Sequence, residues 1–414
     1  MQFIKQCRGW LAILVVWMLV TSSALAQQDF QSFVSNAKYD DAIAFYKKAI
    51  ERNKENDQAR FRLGVAQFLN TFEELGHSWY RYGQLDNFLV ESLPLFRLNV
   101  PSNPTPEPID YRLFRSIIQS ALDGLQQAES TLTEITAEDV FLELDLLSIR
   151  LDWNANQQID SDDNLFASLR AVLGNQAPAN GVQSFVVRFD AADVKWLRGY
   201  CHLLMAVCEF CLAYDHQDFW DVAARRIFAK AHTSFDFLNE EPSRQGYYET
   251  NMILDLIASI HQLRFTLREP ERMPKVLAHV KKTIQLSRDM WKLVEAETDD
   301  DREWIPNPNQ KPPFPGSEVS REMIDGWYDF LNEAEAILDG EKLVPFWRGN
   351  NPKRGVNLNR FFMSPEDLDI VLWVHGSGAI PFLQADIPVT SKETWNHFER
   401  IFQGEFIGFA IWFN

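Results

Sequence analysis

Apolar residues recur along most of this chain at spacings of three and four, the period of a helix seated on a core. Between positions 37 and 69, Ala42, Tyr46 and Ala49 share one face, and Phe61, Ala66 and Leu69 share another. A polar break from Asn53 to Asp57 separates them, so the pattern predicts two helices back to back. Tyr111 to Leu151 predicts two more, the first on Phe114, Ile117, Ile118, Leu122 and Leu125, the second on Val140, Phe141, Leu144, Leu147, Ile149 and Leu151. Thr136 with Asp139 has the spacing of a capping box for the second. Further helices are predicted over Asp193–Tyr214, Phe219–Phe237, Tyr248–Leu267, Met273–Leu293 and Arg321–Leu338. Asp193 is the predicted N-cap of its helix. Beyond Phe346 the pattern loosens, with short strands or a short helix near Asp367–Trp373 and a last aromatic segment, Phe402–Phe413. No strand-like alternation stands out. The predicted class is all-α, a multi-helix array or bundle with a less regular C-terminal segment.

Two stretches punctuate the helices. Val100–Pro108 (VPSNPTPEP) is a proline-rich break, and Asn175–Gly181 is a further loop. The chain then divides into a 1–26 leader, a 27–99 helical region, a 109–296 helical core and a 297–414 segment.

The spacing Ala42-x3-Tyr46-x2-Ala49, a short turn, then Leu63-Gly64 resembles a tetratricopeptide repeat. The usual turn proline is Lys54 here, and the later aromatic position is Gln67. The resemblance spans little more than one repeat, too few to bury its own faces, so the hairpin is expected to pack on the rest of the chain.

Residues 1–26 read as a secretory signal: Lys5 and Arg8, then the apolar run Trp10–Val20, then Ala24-Leu25-Ala26 as a small-x-small cleavage site. An uncleaved N-terminal anchor is the alternative. No later stretch is apolar for the ~20 residues that a spanning helix needs. Cys201, Cys208 and Cys211 remain after the leader, an odd number on one helical pattern. Cys201 and Cys208 lie about 10 Å apart in helical rise, too far for a disulfide. Their neighbours Leu203, Leu204, Met205, Val207 and Phe210 make them small buried hydrophobes rather than a redox or metal pair with His202.

The composition is globular, with 46% hydrophobic residues, but 58 Asp and Glu outnumber 40 Lys and Arg to give a formal charge of −18. That excludes the basic face a nucleic-acid partner requires and disfavours anionic membrane surfaces.

One loop carries chemistry. In Asp152–Asp163 (DWNANQQIDSDD), positions 1, 3, 5, 9 and 12 are Asp152, Asn154, Asn156, Asp160 and Asp163. With the backbone carbonyl of Gln158 at position 7, they offer the six oxygens that wrap Ca²⁺. The loop resembles an EF-hand, its terminal Asp more like the dockerin kind. The resemblance implies flanking helices at Ala137–Leu151 and Asn164–Leu173 and a core anchor at Ile159. It departs at Gln157, where the sharp turn favours Gly. The competing reading is an Asp/Asn-rich turn whose side chains cap the segment from Asn164 onward.

No catalytic constellation is evident. His375-Gly-Ser-Gly378 is read as a turn, and there is no H-E-x-x-H. Arg188–Tyr214, the calcium-type loop and Trp304-Ile-Pro-Asn-Pro together resemble an uncharacterised group of exported bacterial proteins, which implies no activity. The function expected is therefore an exported, non-catalytic helical binding or scaffold protein, with a protein or peptide partner and one structural Ca²⁺. The alternative is a polysaccharide-binding or polysaccharide-active envelope protein using Asp299, Asp300, Asp301, Glu303 and Trp304, with His375.

Overall fold

The first helix, α1 (Tyr39–Arg52), buries Tyr39, Ala42 and Tyr46 on one stripe. Asn56 then caps α2 (Asp57–Arg81), its side chain accepting from the Ala59 N–H. The computed structural model describes residues 30–87, 90, 96, 98, 100–166, 184–239, 248–313, 317–402 and 406–413. The 1–26 leader, the 175–181 loop and most of the expected 164–173 helix lie outside them.

The α1–α2 hairpin packs on α3 (Tyr111–Thr133), whose start is capped by Asp110. A Cβ on Gly64 would meet Leu132 of α3 at 2.5 Å, so this glycine sets how closely α2 and α3 approach. Next come β1 (Leu142–Asp145) and β2 (Val186–Phe189), an antiparallel pair in which Leu144 faces Val187. After them come α4 (Ala191–Ala213), β3 (Tyr214–Asp215), α5 (Gln217–Ala223), α6 (Tyr248–His261), β4 (Arg264–Leu267) and α7 (Arg272–Ala296). After α8 (Arg321–Leu338) the chain runs through β5 (Val344–Pro345), β6 (Gly355–Val356), α9 (Leu358–Met363), β7 (Leu368–Asp369), α10 (Ile370–His375) and β8 (Leu383–Gln384). It closes with α11 (Lys392–Ile401) and α12 (Phe406–Phe413).

The long helices pack in a row: α1 on α2, α2 on α3, α3 on α4, α4 on α7, α7 on α8, and α8 on α11. One hydrophobic cluster runs through the whole row, from Phe30 by way of Trp153, Trp291 and Trp327 to Phe409. The 27–99, 109–296 and 297–414 segments therefore share a core. A polar seam lies between α3, α4 and α7. Arg198 pairs with Glu129 (3.0 Å), Arg272 with Glu209 (2.6 Å), and His202 with His279 (2.8 Å).

Among the described residues the chain is mostly helical, with three small antiparallel sheets: β1–β2, β3–β4–β7 and β5–β6–β8. This corrects the all-α expectation at three places. The predicted helix over Ala137–Leu151 is instead β1 and a short 3₁₀ turn, because Leu142 and Leu144 alternate inward against β2. With no helix there, Thr136 caps nothing; its N–H and that of Ala137 both donate to the Asp57 carboxylate. The Phe219–Phe237 helix stops at Ala223 and the Tyr248–Leu267 helix at His261, where β4 takes over. The N-cap of α4 is Asp190, with Asp193 as its capping-box partner three residues on.

Candidate functional site

The Asp152–Asp163 loop leaves a stem of extended chain rather than a pair of helices. Leu151 N–H donates to Asp163 O (2.8 Å) and Leu165 N–H to Ile149 O (3.2 Å). This corrects the incoming-helix expectation. Inside the loop the backbone turns at Ala155 (φ 55°) and Gln157 (φ 61°), left-handed values that cost a non-glycine residue ~1 kcal/mol or more each. Hydrogen bonds to the side chains offset that cost. Asp152 accepts from Asn156 N–H (3.1 Å) and Gln157 N–H (2.7 Å), Asn154 from Asn156 N–H (3.0 Å), and Asn156 from Gln158 N–H (2.7 Å). Asn156 Nδ2 donates to Asp160 (2.9 Å). Four of the predicted side chains, Asp152, Asn154, Asn156 and Asp160, are thus tied into one ring of contacts. Asp163 is fully buried and accepts from Trp153 N–H and Asp160 N–H, which makes it a capping group.

The anchor is also different from the expected one. Ile159 is 42% exposed, whereas Trp153 at loop position 2 is fully buried. α2 holds the loop from below. Asp152 N–H donates to Glu73 (2.8 Å), and His77 Nε2 donates to Asp152 O (2.6 Å). Burial pushes the Glu73 carboxyl up to about 7, against the pull of the Asp152 N–H and of His77.

The acidic segment after α7 does not form the open sugar platform expected of it. Trp304 is buried between Phe189 (5.7 Å) and Trp196 (5.6 Å), and Glu303 is buried beside it. An enclosed indole has no face to stack on a ring. Asp299 and Asp300 are exposed, Asp300 pairing with Lys311 (2.9 Å), and Asp301 pairs with Arg188 (3.4 Å). His375 contacts Ser377 Oγ (3.1 Å) at the end of α10, whose Trp373 belongs to a different hydrophobic cluster from that of Trp304. Those six residues do not converge. Glu303 instead clusters with Glu297, the first residue of the acidic segment, and with Asp190, which the sequence pattern marks only as part of a helix start.

A second feature is equally unmarked in the sequence pattern. On α6, Ile253, Leu254, Leu256, Ile257 and Ile260 are 47–58% exposed. Asp255, on the opposite side, ties α6 to the body through Arg226 (2.6 Å). The signal was present in the run MILDLI, whose apolar residues cover too wide an arc for a single buried stripe. The cysteines behave as expected: Cys201 and Cys208 are buried and all three are free. Among the described residues no helix is long and apolar enough to cross a membrane. The chain matches no family model, no curated protein and no solved structure.

Proposed function

We propose that this is an exported, non-catalytic binding or scaffold protein that docks a protein or peptide partner on the outward face of α6. In this reading the 152–163 loop takes one Ca²⁺ through Asp152, Asn154, Asn156, Asp160, Asp163 and the Gln158 carbonyl, as a clasp that holds the loop on α2. The observation that carries the reading is the α6 face: five adjoining aliphatic residues turned outward, with the one acidic residue among them turned in. Contiguous apolar surface of this kind marks interaction sites on soluble proteins. The five residues carry no charge, while the chain as a whole is −18. A protein segment with its own apolar stripe matches that better than an anionic lipid surface, which the net charge repels.

The test is a photo-crosslinking residue placed at Leu256 in cells producing the full chain. A discrete heterologous adduct that disappears when Ile257→Asp is added supports the reading. An adduct at twice the chain mass, or the same background as a crosslinker placed at Glu341, refutes it. The calcium part is tested by melting the protein with and without the ion.

A further inference from the structure

Three carboxylates meet where α4 begins, with a fourth beside them, and they come from two separate stretches of the chain. Asp190 precedes α4, Asp193 lies in its first turn, Glu297 comes directly after α7, and Glu303 stands six residues further on. Oxygens of Asp190, Glu297 and Glu303 all lie within 4.8 Å of one another. The Asp190 and Glu297 carboxyls share one proton, Glu297 donating and Asp190 accepting, a proton that a bound cation would displace.

Asp193 supplies the second observation. It is 4% exposed, and its Oδ2 accepts from Asp190 N–H (2.9 Å), but its Oδ1 has no hydrogen-bond partner. Asp190, whose N–H it holds, is a member of the cluster, and the charges of Asp190, Glu297 and Glu303 all act on it. A buried carboxylate oxygen without a donor costs about 1–3 kcal/mol. Natural structures seldom leave one without an unseen partner.

Beyond the proton that Asp190 and Glu297 share, the donors on hand do not neutralise this group. The α4 N-terminus serves Asp190, whose Oδ1 accepts from Ala192 N–H (2.7 Å) and Asp193 N–H (3.3 Å). Gln310 Nε2 donates to Glu297 (3.2 Å), and Asp301 N–H donates to Glu303 (3.0 Å). Arg188 is the cation that acts on Asp190 and Glu303, and it is already paired with Asp301. The set is all oxygen and all acidic, the donor chemistry of a hard divalent cation.

We propose that Asp190, Glu297 and Glu303 bind one hard divalent cation of calcium size, and that the orphaned Asp193 oxygen accepts from a water on it. Ligand oxygens about 2.4 Å from Ca²⁺ stand at most about 4.8 Å apart, the span these three already satisfy. The cation fastens the segment after α7 to the start of α4. This site is separate from the 152–163 loop and does not rest on it.

The experiment is a calcium titration of the chelator-stripped full chain by calorimetry, in an Asp152→Ala background that removes the loop as a competitor. One equivalent of Ca²⁺ should remain in that background. Glu297→Gln should weaken it more than about tenfold, and Glu303→Gln likewise. Asp299→Asn, which changes charge nearby without touching the cluster, should cost less than about threefold. No calcium uptake in the Asp152→Ala chain overturns the proposal. So does equal weakening by Asp299→Asn and Glu297→Gln, which would mark diffuse attraction to an acidic loop. Far-ultraviolet circular dichroism checks that each variant is folded, and Glu303→Gln decides the matter if Glu297→Gln is not.

Discussion

Replacing Gly76 by alanine sets two physical effects against each other. Within α2 the exchange favours folding by about 1 kcal/mol, because glycine is the poorer helix former. Against that, a Cβ at this position would stand 2.2 Å from Cε3 and 2.7 Å from Cζ3 of Trp153. Ordinary carbon contacts begin near ~3.5 Å, so the indole must retreat by more than ~1 Å. It has little room to do so, since Trp153 is fully buried and its backbone is fastened on both sides. Asp152 is held by Glu73 (2.8 Å) and His77 (2.6 Å), which flank Gly76 on α2, and Trp153 N–H is held by Asp163 (3.3 Å). Overpacking of this kind costs about 1–3 kcal/mol, and a clash against a fixed ring belongs at the upper end. The net expectation is a loss of about 1–2 kcal/mol. The assay is urea or thermal unfolding of the wild type, Gly76→Ala, Trp153→Leu and the double variant. Trp153→Leu should cost less in the alanine background than alone, a coupling of about 1–2 kcal/mol. A Gly76→Ala protein more stable than wild type, or a coupling of zero, would refute the reasoning and with it the seating of the loop on α2.

Three further outcomes are expected. Millimolar Ca²⁺ should raise the melting midpoint of the wild type, by about 2.7 kcal/mol of stability at a hundredfold excess over Kd, and the part due to the 152–163 loop should vanish in Asp152→Ala. His216 is held down to about 4, chiefly by burial and then by the charge of Arg115. The unfolded chain takes up this proton near pH 6.5 while the folded chain refuses it until about pH 4. Stability should therefore fall by up to about 3 kcal/mol as pH drops across that window, and His216→Gln should flatten the slope. Burial pushes the thiols of Cys208 and Cys211 up to about 12 and about 11, so a disulfide-exchange reagent at pH 8 should label neither in the native protein within the time that labels both in urea.

The residues of the sequence by themselves determined the parts of this protein whose bonds are local. Helix hydrogen bonds join residues four apart, so the stripe of Ala42, Tyr46 and Ala49 announces α1 without reference to any partner. The same is true of Arg321–Leu338, predicted and observed with the same ends. Thiols set among leucines and a phenylalanine were legible as buried for the same reason. The contacts within the 152–163 loop are local as well, since its ring of Asp and Asn side chains closes over a few residues. Tertiary structure decided everything that needed a distant partner. Leu142 and Leu144 sit in a segment with helical spacing, and only pairing with Val187 and Phe189 makes it a strand. Trp304 has the composition of an open platform, and only the arrival of Phe189 and Trp196 encloses it. Asp190 is separated along the chain from Glu297 and Glu303 by whole helices, so their meeting is a consequence of how α4 packs on α7. The outward face of α6 likewise comes from the Arg226–Asp255 tie, which turns the Asp255 side of the helix toward the body and its aliphatic side away.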